Sequence, residues 1–563
     1  MSEINYDAIP GTSHLVDTEK SFSGTNAEKK NGIILIPTPS DDPNDPLCWK
    51  YSRKLWNVFA LVLYCFGGSV PGCVLYSIIT DISEAPGVNV SVAQLNQGTG
   101  YSFLFLGLGN LFWLPMAQQY GKRPVYLLSM IGVVAFNIWM PYIHENSSWV
   151  ASRILHGFFY APIESLPAIS IADMFFEHER ATYMGIYGVA LFSSNYAAPM
   201  LAGLVNQAIG WKWTIKIAVI FAAVCTIAMF FFTEETRYDR KLRVTRNSKG
   251  GIITAITSQG EEKNPEVVST IRKDSTNDSD VFETTADNLA NQTSIIEVGD
   301  DIEYPPPKTF KEKLSLTGGF QKENHLKDYF IMPFKMLQFP IVLYSGFLYG
   351  SSLFFYSILN TTESIVLSEA PYNFSSANCG LAYASAVIFV FICYPAAGWS
   401  TGWLKIKFAR KHDGVSQAED RLWILLLYMF LGPSSLILWG VGAAHHIHWF
   451  GVIVGLGLMA GLCVVGCVSS VTYTLDCYSQ LNMAAMTVVV IIRNTMNFAL
   501  DYGITPFLDN VGMQNTFIAC AFICMFCIGT FFIMVKTGLF WRKKTARAYW
   551  KLIADYRSRG VIG

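Results

Sequence analysis

The sequence predicts an all-α membrane protein of twelve transmembrane helices arranged as two six-helix halves, and three observations predict it. About a dozen apolar runs reach the roughly 20 residues that a helix needs to cross roughly 30 Å of hydrocarbon with its backbone hydrogen bonds kept inside the segment. A long charged, serine-rich stretch interrupts these runs once, near the middle. The composition, 52% hydrophobic, 14% aromatic and 15% charged, is richer in apolar residues and poorer in charge than a soluble chain of 563 residues.

In order along the chain, the first six spans fall at about residues 56–80, 98–119, 124–143, 149–172, 181–207 and 213–233. The second six fall at about 341–362, 378–400, 422–444, 449–474, 485–507 and 516–537. This divides the chain into an amino-terminal tail (1–55), a first half (56–239), a linker (240–340), a second half (341–537) and a carboxy-terminal tail (538–563). The linker is rich in Ser, Thr, Asn, Asp and Lys, contains Pro305, Pro306 and Pro307, and shows no sustained apolar period. Such a segment is expected to be largely disordered and open to phosphorylation. Residues 1–55 are polar and lack a signal-peptide apolar region, so the first span is expected to act as the insertion signal.

Lys and Arg gather on one side of the expected membrane. Lys122 and Arg123 follow span 2, Lys405, Lys407, Arg410, Lys411 and Arg421 follow span 8, and Arg542, Lys543, Lys544 and Arg547 follow span 12. By the positive-inside rule that side is cytoplasmic and holds both termini. The opposite loops are nearly free of Lys and Arg and carry N-x-S/T triplets at Asn89, Asn146, Asn360 and Asn373; similar triplets at Asn277 and Asn291 in the linker show how little that second signal weighs. The twelve cysteines are scattered and lack a repeated metal-ligand spacing, and the lone C-x-x-C of Cys524 and Cys527 reads as packing within a span. His445, His446 and His448 read as a solvated loop rather than a metal site.

Three features of the first half recur in the second: Pro115 with Pro395, Asp173 with Asp476, and Pro199 with Pro506. Their offsets grow from about 280 to about 305 residues, which the enlarged loop at 401–421 accounts for in one step, as an internal repeat of two halves requires.

Charge inside the spans costs at least ~2.5–3.5 kcal/mol per group, so each such residue needs a partner or a water-filled cavity. Glu164 lies about 6 Å from the middle of span 4 at ~1.5 Å per residue. Arg153 precedes it by eleven residues and returns to within about 20° of the same face, too far along the helix to touch it. A carboxylate at that depth suits a group that binds a proton or a cationic solute; a structural hydrogen bond to a neighbouring helix is the alternative. His156, one turn from Arg153, reads as a packed histidine. Span 7 presents Ser345, Tyr349, Ser352, Tyr356, Asn360 and Glu363 at helical spacing, a polar and aromatic stripe fit to line a cavity, where Tyr349 and Tyr356 can stack on a cation. Glu363 is placed near the outer interface, in water. Span 11 carries Arg493, Asn497 and Asp501 at four-residue steps beside Asn494, an expected ladder in which Asp501 neutralises Arg493 through Asn497, open equally to reading as a structural latch or as a substrate site.

Several strings resemble the major facilitator superfamily, and within it the fungal drug:proton-antiporter-like branch. DPNDPLCW at Asp42–Trp49 resembles the P-N-D-P-x-N-W signature ahead of span 1, Arg153–Gly157 resembles R-x-x-x-G, and ADMFFEHER at Ala172–Arg180 resembles D-x-F-F-x-H-x-R. Glu234-Glu235-Thr236 closing span 6, AEDRLW from Ala418 and LDCY from Leu475 extend the match, which runs from about residue 42 to 510 without the linker. The IPGT and ILIPTPS strings are most similar to those of yeast permeases for polyamines, histidinol and other organic cations. Two positions depart from the pattern: Gln118 stands where the superfamily has Asp, with Gly402 at the repeat position, and Ala198-Pro199 followed by Ala202-Gly203 stands where antiporters have Gly-Pro.

The resemblance implies a plasma-membrane carrier that moves a small organic solute, cationic by the residues above, coupled to protons by alternating access. Its expected substrate and proton site comprises Glu164, Tyr349, Tyr356, Asn360, Arg493, Asn497 and Asp501, with gating contacts at Arg153, Asp173, Arg180 and Asp476. The expected partners are the solute, protons and the lipid bilayer, with no nucleic acid, cofactor or metal. No G-x-x-x-x-G-K-[ST] loop occurs, so the proton gradient is the expected source of energy. A proton-antiport exporter of drugs or secondary metabolites and a non-transporting nutrient sensor remain as alternatives. An enzyme is disfavoured by the lack of clustered histidines or an activated nucleophile in the spans.

Overall fold

The computed structural model describes residues 42–238, 324–411 and 415–561, with short stretches at 9–14, 29–30, 33–34, 243–246, 253–256, 308–316 and residue 320. Among them, twelve helices are long and apolar enough to cross a membrane. Spans 1 to 6 are Tyr51–Cys73, Val92–Tyr120, Lys122–Tyr142, Asn146–Met174, Thr182–Ile209 and Trp211–Phe232. Spans 7 to 12 are Pro340–Ser368, Ser376–Thr401, Ala418–Ala444, Trp449–Cys477, Ser479–Val511 and Met513–Ser558. The all-helical class and the count of twelve agree with the sequence. Span 7 extends six residues past its expected end, which places Glu363 inside the helix rather than in the water beyond it. Span 12 continues well past residue 537, and its last turns bury Tyr549, Ile553 and Tyr556 instead of forming a loose tail.

Most of the expected linker, and with it the disorder and phosphorylation expected there, lies outside the described residues. Its final part does not. Leu326–Met336 is a helix that packs across spans 2 and 11 and buries Tyr329, Met332 and Met336. At the same end, Thr12–His14 pairs antiparallel with Val415–Gln417, and Arg542 donates from Nη1 to the Pro10 carbonyl at 2.8 Å while its Nε reaches Glu419 Oε1 at 2.9 Å.

The two halves have separate cores. Two clusters, around Leu61, Trp113 and Met130 and around Ile79, Trp149 and Ile215, belong to the first half; a third belongs to the second half and borrows only Phe192 and Tyr196 across the seam. Ile220 and Ile227 of span 6 and Phe522 and Phe526 of span 12 stay more than half exposed, the apolar outer face that a hydrocarbon solvent requires. The paired features of the repeat behave alike. Lys122 at the start of span 3 forms an ion pair with Asp173 at the end of span 4, and Arg421 Nε at the start of span 9 lies 2.9 Å from Asp476 at the end of span 10.

The halves meet chiefly where span 2 packs on span 11 and span 5 on span 8. Small residues allow this closeness: a methyl group on Gly203 would collide with the Ser376 carbonyl oxygen and Gly380 of span 8. We call the end with the Lys/Arg-rich loops the basic end and the opposite end the far end. At the far end four hydrogen bonds among the described residues tie the halves together: Thr80 Oγ1 to Ser364 Oγ at 2.8 Å, Ser376 Oγ to Asp81 Oδ2 at 2.7 Å, Ser375 Oγ to Gln207 Oε1 at 3.3 Å, and Asn96 Nδ2 to Thr505 Oγ1 at 3.4 Å.

Candidate substrate site

Span 4 is not a continuous α-helix. Asn146–Tyr160 and Leu166–Met174 are α-helical, and Ala161–Glu164 between them forms a 3₁₀ turn. Pro162 and Pro167 cause the break, since each lacks the N–H that would bond the carbonyl four residues earlier. Those two carbonyls are Phe158 and Ile163, and both find side-chain donors: Trp113 Nε1 donates to Phe158 O at 2.7 Å, and the Tyr187 hydroxyl donates to Ile163 O at 2.8 Å. The hydroxyl also lies 3.1 Å from Glu164 O, and Ser165 Oγ donates to Asn110 Oδ1 at 2.9 Å. A buried backbone polar group needs such a partner. The break is therefore held on spans 2 and 5, and it presents Glu164 from a fixed, non-helical backbone.

Glu164 faces Arg493 of span 11. Arg493 Nη2 forms an ion pair with Glu164 Oε1, and both side chains are nearly buried. The same nitrogen donates to Asn494 Oδ1 at 2.9 Å, Nη1 donates to the Tyr349 hydroxyl at 2.9 Å, and Asn494 Nδ2 lies 3.4 Å from Glu164 Oε2. The guanidinium carbon sits 4.8 Å from the centroid of the Tyr349 ring. One first-half carboxylate thus holds a cation that the second half surrounds with an aromatic face and two polar groups.

The pair opens onto a cavity of about 90 Å³ between the halves, lined also by Arg153, Tyr356, Asn360 and Asn195. Sites that engulf a drug-sized solute measure roughly 300–1,000 Å³, so the halves must part to admit one. Tyr356 packs on Tyr196 with ring centroids 4.9 Å apart, and Asn360 Oδ1 accepts from the Tyr383 hydroxyl at 2.8 Å. Arg153 lies 5.7 Å from the Trp149 ring centroid, and its Nε and Nη1 have no hydrogen-bond partner among the described residues. His156 is packed: its Nδ1 lies 2.7 Å from Asn137 Nδ2 and its ring stacks on Tyr160.

Five of the expected site residues, Glu164, Tyr349, Tyr356, Asn360 and Arg493, therefore share one cavity, together with Arg153 from the expected gate. Asn497 and Asp501 do not line it. The expected ladder from Arg493 to Asp501 is not formed, because a carboxylate from the other half reaches the guanidinium first, while Asp501 lies two turns away and accepts from Thr361 Oγ1 at 3.3 Å. Both polar atoms of the Asn497 side chain are buried without a hydrogen-bond partner among the described residues. Asp173 and Asp476 pair within their own halves rather than across the seam, and the Arg180 side chain lies outside the described residues. Gln118, at the position where the superfamily pattern has Asp, meets the Met483 sulfur of span 11. Glu363, expected in water, is completely buried. The sequence reading missed the break at Glu164, although Pro162 and Pro167 flank it in plain view.

Comparison with known proteins bears on the whole arrangement. The family model described as Major Facilitator Superfamily matches residues 58–500. This chain belongs to that superfamily. It is 28% identical to an uncharacterized MFS-type transporter of Schizosaccharomyces pombe, over 97% of this chain and 95% of the relative. It is 26% identical to Protein HOL1 of Saccharomyces cerevisiae, over 92% of each chain, and 24% identical to the MFS antiporter QDR3 of Candida albicans, over 91% of this chain and 81% of the relative. The chain thus falls among fungal facilitators, and two cores meeting across a cavity are the architecture of a transporter of small solutes.

Proposed function

We propose that this chain is a proton-coupled carrier of a small organic cation in the plasma membrane, working by alternating access. The observation that carries the reading is the pairing of Glu164 with Arg493 across the halves at the cavity wall. Arg493 is itself an organic cation resting between a carboxylate and an aromatic face. A solute ammonium group competes for that cradle, and its entry displaces Arg493 and weakens the tie between the halves. Cation and tie are then alternatives, which is what a rocking mechanism needs. The Lys/Arg asymmetry supports a cytoplasmic basic end, with both termini and the linker inside.

A second reading has its own observation. The unpartnered nitrogens of Arg153 favour a solute that carries an acceptor or an anionic group opposite its amine. Accumulation of labelled spermidine, of tetraphenylphosphonium and of a zwitterionic amino acid, in cells with and without the protein at two external pH values, tests both. Uptake of the cations that rises with external acidity is the expected result. Preference for the zwitterion turns the assignment to the second reading, extrusion reverses the direction, and an absence of flux for all three sinks the carrier reading in favour of a sensor.

A further inference from the structure

Residues 360–364 of span 7 are five consecutive polar side chains, and four are bonded to different neighbours. Asn360 Oδ1 accepts from Tyr383 of span 8 at 2.8 Å, and Thr361 Oγ1 donates to Asp501 of span 11 at 3.3 Å. Thr362 Oγ1 accepts from Trp439 Nε1 of span 9 at 3.3 Å, and Ser364 Oγ meets Thr80 of the first half at 2.8 Å. Glu363 alone is left out. It is fully buried, and neither carboxyl oxygen has a hydrogen-bond partner among the described residues.

The titratable groups near it include Tyr356 on its own helix and Cys379 and Tyr383 on span 8. Beyond them, Asp81 of the first half acts on the same Cys379, and Asp501 of span 11 is held by the neighbouring Thr361. The cation Arg153 acts on Asp501. Apart from Arg153 these groups are neutral or acidic, and among the described residues neither oxygen of Glu363 has a hydrogen-bond partner that would compensate an anion. A bare carboxylate in such surroundings is strongly disfavoured, whereas the neutral acid escapes most of that penalty.

We propose that Glu363 is a proton-binding site separate from the Glu164–Arg493 pair, protonated while the far end is closed and deprotonated when that end opens to water. The position decides when the proton moves. Ser364, the next residue, is part of the far-end closure, so parting Thr80 from Ser364 brings water to Glu363. Asn360, one turn back, lines the cavity. In the open state the carboxylic acid gives its proton to water, forming hydronium and a hydrated carboxylate. Closure requires the reverse, in which hydronium returns a proton to a carboxyl oxygen and leaves as water, because the bare anion cannot re-enter its unpartnered pocket. Release and rebinding both face far-end water, so no proton crosses the membrane at this site: Glu164 handles the solute, and protonation of Glu363 sets the pH dependence of far-end closure. This inference rests on the carrier reading above and not on its proton coupling.

Infrared spectroscopy of the full-length protein in lipid nanodiscs tests the site without knowledge of the substrate. The carbonyl stretch of a protonated carboxyl group is expected in the wild type at neutral pH, lost in Glu363→Gln and shifted in Glu363→Asp. In proteoliposomes preloaded with tetraphenylphosphonium or spermidine, wild-type solute counterflow is expected to slow as pH rises, whereas Glu363→Gln, which cannot lose a proton, is expected to keep counterflow and lose that pH dependence. A spectrum that Glu363→Gln leaves unchanged overturns the proposal, as does a counterflow pH dependence in Glu363→Gln equal to wild type. A wild type that shows the band yet gives no counterflow of either solute overturns the carrier reading and leaves Glu363 as a proton-binding site.

Discussion

Taking the charge from Glu164 leaves the Arg493 guanidinium inside the protein with Tyr349 and Asn494 but no anion. Removing one member of a buried pair costs about 3–5 kcal/mol, because the other charge stays behind uncompensated. Glu164→Gln is therefore expected to lower the thermal unfolding temperature in detergent and to reduce surface expression. For a lone carboxylate the same change would be mild. The double variant Glu164→Gln/Arg493→Gln, which removes both charges, is expected to recover most of the stability while remaining unable to transport cations. Additive losses in the double variant, seen by thermal unfolding, would mean that the pair is not coupled energetically. The intramembrane charges themselves were legible in the sequence, but their partners were not. Four-residue spacing relates Arg493 to Asp501 along one helix, and it carries no information about a carboxylate some 330 positions away on the opposite half.

At the scale of the element, hydropathy found all twelve spans yet read straight through the one irregularity that positions the site. An apolar average over span 4 cannot register two missing N–H groups, whereas Pro162 and Pro167 state them directly. The break is held by Trp113 and Tyr187, and this is open to a double-mutant cycle. Trp113→Phe strips the donor from the Phe158 carbonyl and is expected to cost about 1–3 kcal/mol, the penalty for a buried acceptor left unsatisfied. In a Pro162→Ala background, residue 162 regains an N–H that can bond that carbonyl within the helix, so the same Trp113→Phe change should cost distinctly less. Equal destabilisation in both backgrounds, measured by thermal unfolding, would show that Trp113 contributes packing alone. Pro162→Ala is also expected to impair transport even if it stabilises the fold, because a regular helix turns Glu164 away from Arg493.

For the molecule as a whole, the two-half plan was legible from three matched pairs of residues, and the equivalent ion pairs of Asp173 and Asp476 give that match a structural meaning. The contacts between the halves were not legible, since they join residues hundreds of positions apart through small polar groups that leave no periodic trace. The far-end bond between Thr80 and Ser364 is the sharpest of them, with its oxygens 2.8 Å apart and one residue from each half. If the carrier works by rocking, this contact must break in every cycle. Because the two side-chain oxygens are in hydrogen-bond contact, cysteines at Thr80 and Ser364 are expected to come within reach of a disulfide, which needs β-carbons about 3.5–4.5 Å apart. Oxidation of Thr80→Cys/Ser364→Cys should then stop transport, and a reductant should restore it, while each single variant stays insensitive and so excludes a contribution from the twelve native cysteines. The comparison is made on proteoliposome flux before and after reduction, with cross-linking followed by mass spectrometry. Undiminished flux in a fully cross-linked sample would mean that the far end need not open, and solute would have to pass between the halves by another route.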